Sequence, residues 1–157
     1  MNHTATAAAQ QAAGSSGDRE VSTAASTHIL VVENDRAAAA DLQRQLRELG
    51  FHSCAVASAA EAMTRARELT PDLALTDVRF DGTADGIETA LELREKFGTG
   101  IIFLTAHTDD ANLERARQTE PYGYLIKPAS PTAVRAAIEI SLDRRAQEAA
   151  LRASESA

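Results

Sequence analysis

Three polar clusters each close an apolar run. Glu33-Asn34-Asp35 follows Ile29-Leu30-Val31-Val32, Asp77 follows Leu73-Ala74-Leu75-Thr76, and Lys127-Pro128 follows Tyr124-Leu125-Ile126. A fourth run, Ile101-Ile102-Phe103-Leu104, ends in Thr105-Ala106. In a parallel α/β sheet all strand C-termini share one edge, where such sheets hold their ligands. Two acidic clusters, a hydroxyl and an ammonium would meet there, a set suited to magnesium-assisted phosphoryl transfer to an aspartate. Two carboxylates about 4 Å apart repel by roughly 4 kcal/mol at an effective dielectric of 20, which either raises a pKa or recruits a cation. Oxygen donors with no histidine or cysteine beside them favour a hard ion, Mg2+ before zinc. Asp77, ending the central strand, is placed as the nucleophile. Lys127, a compact charge on a flexible stem, would pair with phosphoryl oxygens, and Thr105 would donate a hydrogen bond to the same group. His3, His28, His52 and His107 are scattered without metal-ligand spacing.

The positioning elements follow from periodicity. The strand over residues 28–32 is nearly all apolar, as expected when helices cover both faces. Residues 36–49 carry Leu42, Leu46 and Leu49 on one helical stripe, with Gly50 as the stop. A weaker strand over 51–57 is followed by a helix over 59–69, which ends at Thr70-Pro71. The third strand, 73–76, leads through a polar loop, 79–84, to a helix from Asp85-Gly86 to Phe97. Gly98 and Gly100 break that helix before the fourth strand, 101–104. A short polar helix over 109–118, a strand over 122–126 and a last helix from 131 to about 151 complete the chain. Five β-then-α units predict a parallel sheet with right-handed crossovers and helices on both faces.

A chain of 157 residues, 44% hydrophobic and 25% charged, fits one domain with one core. The net charge of −7 does not suggest a nucleic-acid binder, which usually shows a basic face. One cysteine, Cys54, excludes an internal disulfide and reads as a small core residue in a reducing compartment. No run is long and apolar enough for a bilayer, and no secretory signal begins the chain, so a cytoplasmic protein without membrane partners is expected. Residues 1–27 are rich in Ala, Ser and Thr and read as a flexible tail. Residues 28–145 form the folded unit, 146–157 form a helix end and short tail, and no second domain is expected to carry the output.

Residues 28–145 resemble the receiver domain of two-component response regulators. The matches are Glu33-Asn34 for the acidic pair, Asp77 for the phosphoacceptor, Thr105-Ala106 for the switch hydroxyl and its small neighbour, Tyr124 for the aromatic switch, and Lys127-Pro128. Asp85-Gly86-Ile87-Glu88 and Thr119-Glu120-Pro121-Tyr122-Gly123-Tyr124 add to the likeness. The resemblance implies a flavodoxin-like (βα)5 doubly wound sheet of order 2-1-3-4-5, an order that general fold rules already associate with this family. It also implies a cis bond before Pro128. It further implies Mg2+ held by Glu33, Asn34, Asp77 and the backbone carbonyl of Arg79, and a single-domain regulator that is no independent enzyme. Its partners would be a sensor histidine kinase or phosphotransfer protein and a downstream protein. Two departures stand out. Asn34 occupies the position where the family usually has a metal-binding aspartate, which weakens metal affinity by one charge. Ala129 replaces the usual phenylalanine after Lys-Pro, softening the packing between the fifth strand and last helix.

Taken singly, these residues have plainer readings. Asp77 would be a turn or cap residue, Thr105 a cap, Tyr124 a half-buried strand residue and Lys127 a solvated charge. Asp35 stands either at the acidic edge or as the cap of the first helix, and Asp109-Asp110 as a helix start favoured by the dipole. Two alternatives to the phosphorylated regulator remain. A degenerate receiver working as a phosphorylation-independent interaction module rests on Asn34. A small phosphatase or flavoprotein would need a Gly-rich phosphate loop after the first strand, which the sequence lacks.

Overall fold

Apolar strands flanked by amphipathic helices bury both faces only when the helices distribute to the two sides. The computed structural model describes residues 27–79, 85–106 and 110–156 and shows this arrangement. The elements are β1 (His28–Val32), α1 (Arg36–Glu48), β2 (His52–Val56), α2 (Ala59–Leu69), β3 (Leu73–Asp77), α3 (Asp85–Phe97), β4 (Gly100–Thr105), α4 (Asp110–Arg117), β5 (Gly123–Ile126) and α5 (Pro131–Ser156). The strands form one sheet in the order β2-β1-β3-β4-β5, and each neighbouring pair is parallel. This is the flavodoxin-like order implied by the resemblance.

Alternating side chains divide the core in two. Leu30, Val32, Ala74, Ile101 and Phe103 meet Ala62 and Ala66 of α2, Ile87, Ala90 and Leu93 of α3, and Ala116 of α4. On the other face Ile29, Val31, Leu73, Leu75, Ile102 and Leu104 meet Leu42 and Leu46 of α1 and Val134 and Ile138 of α5. The central strands β3 and β4 are buried throughout. Edge strand β2 is buried only at Val56. Cys54 packs against the first of these clusters while remaining partly accessible.

Local chemistry sets the ends. The Asp35 carboxylate accepts from the backbone N–H groups of Ala37 at 3.0 Å and Ala38 at 3.2 Å, so it caps α1 and is turned toward the helix. Of its two sequence readings, capping is the one the structure shows. Ser58 caps α2 by accepting from the Glu61 N–H at 3.2 Å. Gly50 ends α1 at φ 92°, a backbone conformation that suits glycine.

The boundaries differ from expectation at several ends. β2 is shorter than 51–57, and α1 stops one residue before Leu49. β3 and β4 each extend one residue to include Asp77 and Thr105, and β4 also takes in Gly100. β5 begins at Gly123. α5 runs to Ser156 because residues 146–156 contain neither Gly nor Pro and are mostly good helix formers. α4 begins at Asp110 and ends at Arg117. The tail before Thr27, most of the 79–84 loop, His107 and Asp109 lie outside the described residues.

Candidate functional site

Register brings the strand ends together. Val32 of β1 is level with Thr76 of β3, so the residues one step on, Glu33 and Asp77, leave the sheet side by side. Asp77 is level with Leu104 of β4, and Leu104 with Leu125 of β5. Lys127 follows two residues later, across a cis peptide bond to Pro128. Its N–H donates to the Thr105 carbonyl at 2.9 Å, which continues the β4–β5 ladder past the strand end.

The long lysine side chain reaches back across this edge. Lys127 Nζ donates to Asp77 Oδ2 at 2.6 Å and to Glu33 Oε1 at 3.1 Å and Oε2 at 3.3 Å. The Glu33 side chain is 1% exposed, Asp77 11% and Lys127 32%. Three charges are thus gathered in a site that water reaches mainly from the lysine side. Asp77 Oδ1 accepts from the Arg79 N–H at 3.0 Å, so each carboxylate oxygen has a fixed partner.

One ammonium does not neutralise two carboxylates. Burial pushes the Glu33 carboxyl up to about 7, and its hydrogen bond with Asp77 and the Asp77 charge push the same way, against Lys127. Burial alone would lower Lys127, but the hydrogen bonds and charges of Asp77 and then Glu33 outweigh it and hold its pKa above the ordinary lysine value. A pair of hard oxygen donors short of positive charge fits a hard dication. The described residues contain no group of three histidine, cysteine or acidic side chains suited to a metal. Further oxygens would therefore come from the Asn34 amide and a main-chain carbonyl such as that of Arg79.

Thr105 ends β4, and Tyr124 lies in the neighbouring strand β5. The Thr105 side chain is buried, and its hydroxyl donates to the Ala106 carbonyl at 3.4 Å, a weak contact. Tyr124 is half-buried, with its ring centroid 6.5 Å from that of Phe103 in a stacked arrangement. Burial raises its phenol pKa. Phe103 is level with Tyr124 and Thr105 with Ile126, so alternation puts Thr105 and Tyr124 on the same face. Ala129 is partly buried, and its carbonyl accepts from Gln45 Nε2 of α1 at 3.3 Å. Beside it a cavity of about 260 Å3 opens between Ala38, Leu42, Leu104 and Pro128 and reaches Lys127 and Glu33.

Two contributors were not legible as site residues. Gly86, in the first turn of α3, approaches the Asp77 backbone so closely that a Cβ would overlap the Asp77 carbonyl oxygen and come within 2.8 Å of its carbon. The sequence clue was a glycine inside a helical turn, where the residue is otherwise unfavourable. The second is the Arg79 N–H, since the sequence pointed only to that residue's carbonyl.

Gly86→Ala should therefore displace α3 or the end of β3. A loss of about 1–3 kcal/mol in urea unfolding is expected, as for other forced overpacking. Glu33 makes a pH-dependent contribution. Its pKa is raised in the folded state, so its stabilising effect is complete below the unfolded value of 4.5 and is lost as pH rises through about 7. Wild-type stability should fall over that window by on the order of 1–3 kcal/mol, and Glu33→Gln should flatten the fall. An unchanged slope in Glu33→Gln would assign the effect to another group.

Known proteins share this fold. The profile of the response regulator receiver domain matches residues 29–139. The DNA-binding response regulator MtrA of Mycobacterium tuberculosis is 34% identical over 122 residues, covering 78% of this chain and 53% of MtrA. The transcriptional regulatory protein PdtaR of the same organism is 33% identical over 117 residues, covering 74% of this chain and 57% of PdtaR. The chain thus spans about half the length of these relatives. Among solved structures, the signal receiver domain of a modulated diguanylate cyclase from Desulfovibrio desulfuricans G20 superposes with a TM-score of 0.71 at 37% identity, covering 77% of this chain and 97% of that one. The N-terminal domain of a response regulator/sensory box/GGDEF 3-domain protein from Carboxydothermus hydrogenoformans gives 0.68 at 29% identity, covering 80% and 99%. A correspondence that runs from the first strand into the last helix is more than one shared motif, and the chain belongs to the response regulator receiver domain family.

Proposed function

We propose that Asp77 accepts a phosphoryl group from a phosphohistidine on a sensor kinase or phosphotransfer protein. A carboxylate oxygen of Asp77 forms the new O–P bond as the histidine N–P bond breaks, and the imidazole leaves with the electron pair and takes a proton. The observation that carries this reading is the Lys127 ammonium, 2.6 Å from Asp77 and 3.1 Å from Glu33 at the strand-end edge. Lys127 is already positioned to exchange its bond to Asp77 for bonds to the incoming phosphoryl oxygens. The Arg79 N–H holds the second Asp77 oxygen and fixes the rotation of the carboxylate. Glu33, Asp77, the Asn34 amide and the Arg79 carbonyl would hold Mg2+. That ion, when bound, supplies the positive charge that lets a phosphate approach two carboxylates.

The phosphoryl group adds about −1.5 to −2 charges beside Lys127 and Thr105. The Thr105 hydroxyl, whose hydrogen bond among the described residues is the long contact to Ala106, would turn toward that charge. Tyr124 then moves into the space on the shared face. The outcome is a population shift of the surface made by α4, β5 and α5, which a downstream protein reads. A phosphorylation-independent interaction module is the second reading, favoured by the uncharged Asn34 beside only two described carboxylates.

Acetyl phosphate with Mg2+ should give a single phosphate adduct by intact mass, abolished in Asp77→Asn. Asn34→Asp should lower the Mg2+ concentration needed for half-maximal labelling, since it adds a full charge to the site. A wild-type protein that stays unlabelled, while Asn34→Asp labels readily, would favour the module. Amide hydrogen exchange with beryllofluoride, a phosphoryl mimic, should show changed protection in α4 and the first turns of α5. Thr105→Ala should suppress those changes, and changes confined to the neighbourhood of Asp77 would remove this face from the output.

A further inference from the structure

The sheet edge remote from Asp77 brings together two histidines that the sequence keeps apart. β1 and β2 pair in parallel with His28 level with His52, and residues level across a sheet share a face. Their ring centroids stand 5.5 Å apart, with the planes tilted by 34°. His28 is half-buried and His52 is exposed. Among the described residues neither imidazole makes a hydrogen bond or an ion pair, and the side-chain contact of each ring is with the other ring. The His28 backbone N–H, by contrast, is satisfied by Asp72 Oδ2 at 3.0 Å. Two adjacent imidazoles therefore keep their ring nitrogens for a ligand.

Both rings line a cavity of about 270 Å3, with Cys54, Arg65, Leu69 and Pro71 among its other walls. Their spacing suits one shared ion. An imidazole centroid lies about 3.2 Å from a Zn2+ held at roughly 2.1 Å, so two rings at the tetrahedral angle stand about 5.2 Å apart. The observed 5.5 Å needs only a small side-chain adjustment to reach that value. The surrounding charges tolerate a cation, since the Asp72 carboxylate lies against the His28 backbone and Arg65 is paired with Glu68 at 3.2 Å. Cys54 follows His52 by two residues on the same face and is partly accessible. Among the described residues, however, no three histidine, cysteine or acidic side chains form a metal set. The site therefore has two imidazole ligands, and its remaining positions open to the cavity and to solvent.

We infer that His28 and His52 chelate one divalent transition-metal ion per chain, with Zn2+ the best fit. Imidazole nitrogen suits Zn2+, Ni2+ and Cu2+, whereas Mg2+ and Ca2+ prefer oxygen. The ion is thus chemically distinct from the one the Asp77 edge would hold. It is distant as well, because Glu33 follows His28 by five residues (33 − 28 = 5), about 16 Å of strand. Bound there, it would staple the edge strand β2, which is buried only at Val56, to β1.

The test is isothermal titration calorimetry of the full chain with zinc chloride, in millimolar Mg2+ so that the Asp77 edge is already supplied with its own ion. Saturable binding of one Zn2+ per chain is expected. His28→Gln and His52→Gln should each weaken it about a hundredfold, because losing one of two linked ligands removes the chelate gain. Cys54→Ser and the double variant His3→Gln/His107→Gln should bind as wild type does. Zn2+ should also raise the melting temperature of the wild type and leave that of the two single variants in place. If His28→Gln, at a strand start, melts lower without metal, the exposed His52→Gln carries the comparison. Absence of saturable binding, one ion shared by two chains, an affinity unchanged in His52→Gln, or binding lost in Cys54→Ser or in His3→Gln/His107→Gln would overturn the inference.

Discussion

The structure depends on one awkward juxtaposition, two carboxylates brought side by side by strand register. Once β1 and β3 pair with Val32 level with Thr76, Glu33 and Asp77 leave the sheet together, and no rotamer choice moves them far apart. Lys127 resolves the crowding in part, through bonds of 2.6 Å to Asp77 and 3.1 Å to Glu33. The remainder appears as a Glu33 carboxyl that holds its proton to about pH 7. A site in this condition is receptive to cations and to groups that bring a cation with them, and it resists closing on itself. Its polarity is therefore a property of the sheet, with the side chains supplying the charge.

Everything around the cluster restrains it. The backbone of Asp77 is held on one side by the β4 ladder and on the other by Gly86, whose missing side chain lets α3 lie against the Asp77 carbonyl. Lys127 is anchored through its own N–H to Thr105, so the hydroxyl-bearing residue and the lysine share a backbone hydrogen bond. A shift of the Thr105 segment is mechanically linked to the lysine and, one strand over, to Tyr124 stacked on Phe103. This is a short route from the Asp77 carboxylate to β5, built from main-chain bonds and one aromatic pair.

Charge is distributed along the strand direction as well. Acidic groups with one lysine occupy the C-terminal edge, while the opposite edge gathers arginines from α3 and α5. These arginines bond the carbonyls of Gly98, Thr119, Glu120 and Pro121, where the chain turns into β4 and β5. They tie α5 to the sheet below, while the apolar contacts of Val134 and Ile138 tie it from the side. At the acidic edge a cavity lies between α1 and the Pro128-Ala129 segment, where Gln45 donates to the Ala129 carbonyl. α5 is thus held by apolar contacts of Val134 and Ile138 in its first turns and by polar bonds of Arg144, Arg145 and Glu148 farther along.

The sequence by itself determined the alternation of strands and helices, because apolar runs punctuated by Gly50, Pro71 and Gly98 leave few other ways to bury both faces. It also determined that Glu33, Asp77, Thr105 and Lys127 stand at strand ends, since that follows from where each run stops. Strand order came from resemblance, as periodicity is blind to which strands are neighbours. Tertiary structure alone decided the rest. It turned Asp35 into the α1 cap, a choice between two nearby hydrogen-bonding options that local sequence leaves balanced. It set Lys127 between the two carboxylates, which requires a register spanning residues 94 positions apart. It pressed Gly86 onto Asp77 and collected arginines from two helices at one edge. These are consequences of long-range packing, in which each contact depends on every strand already being in place, and no local pattern encodes them.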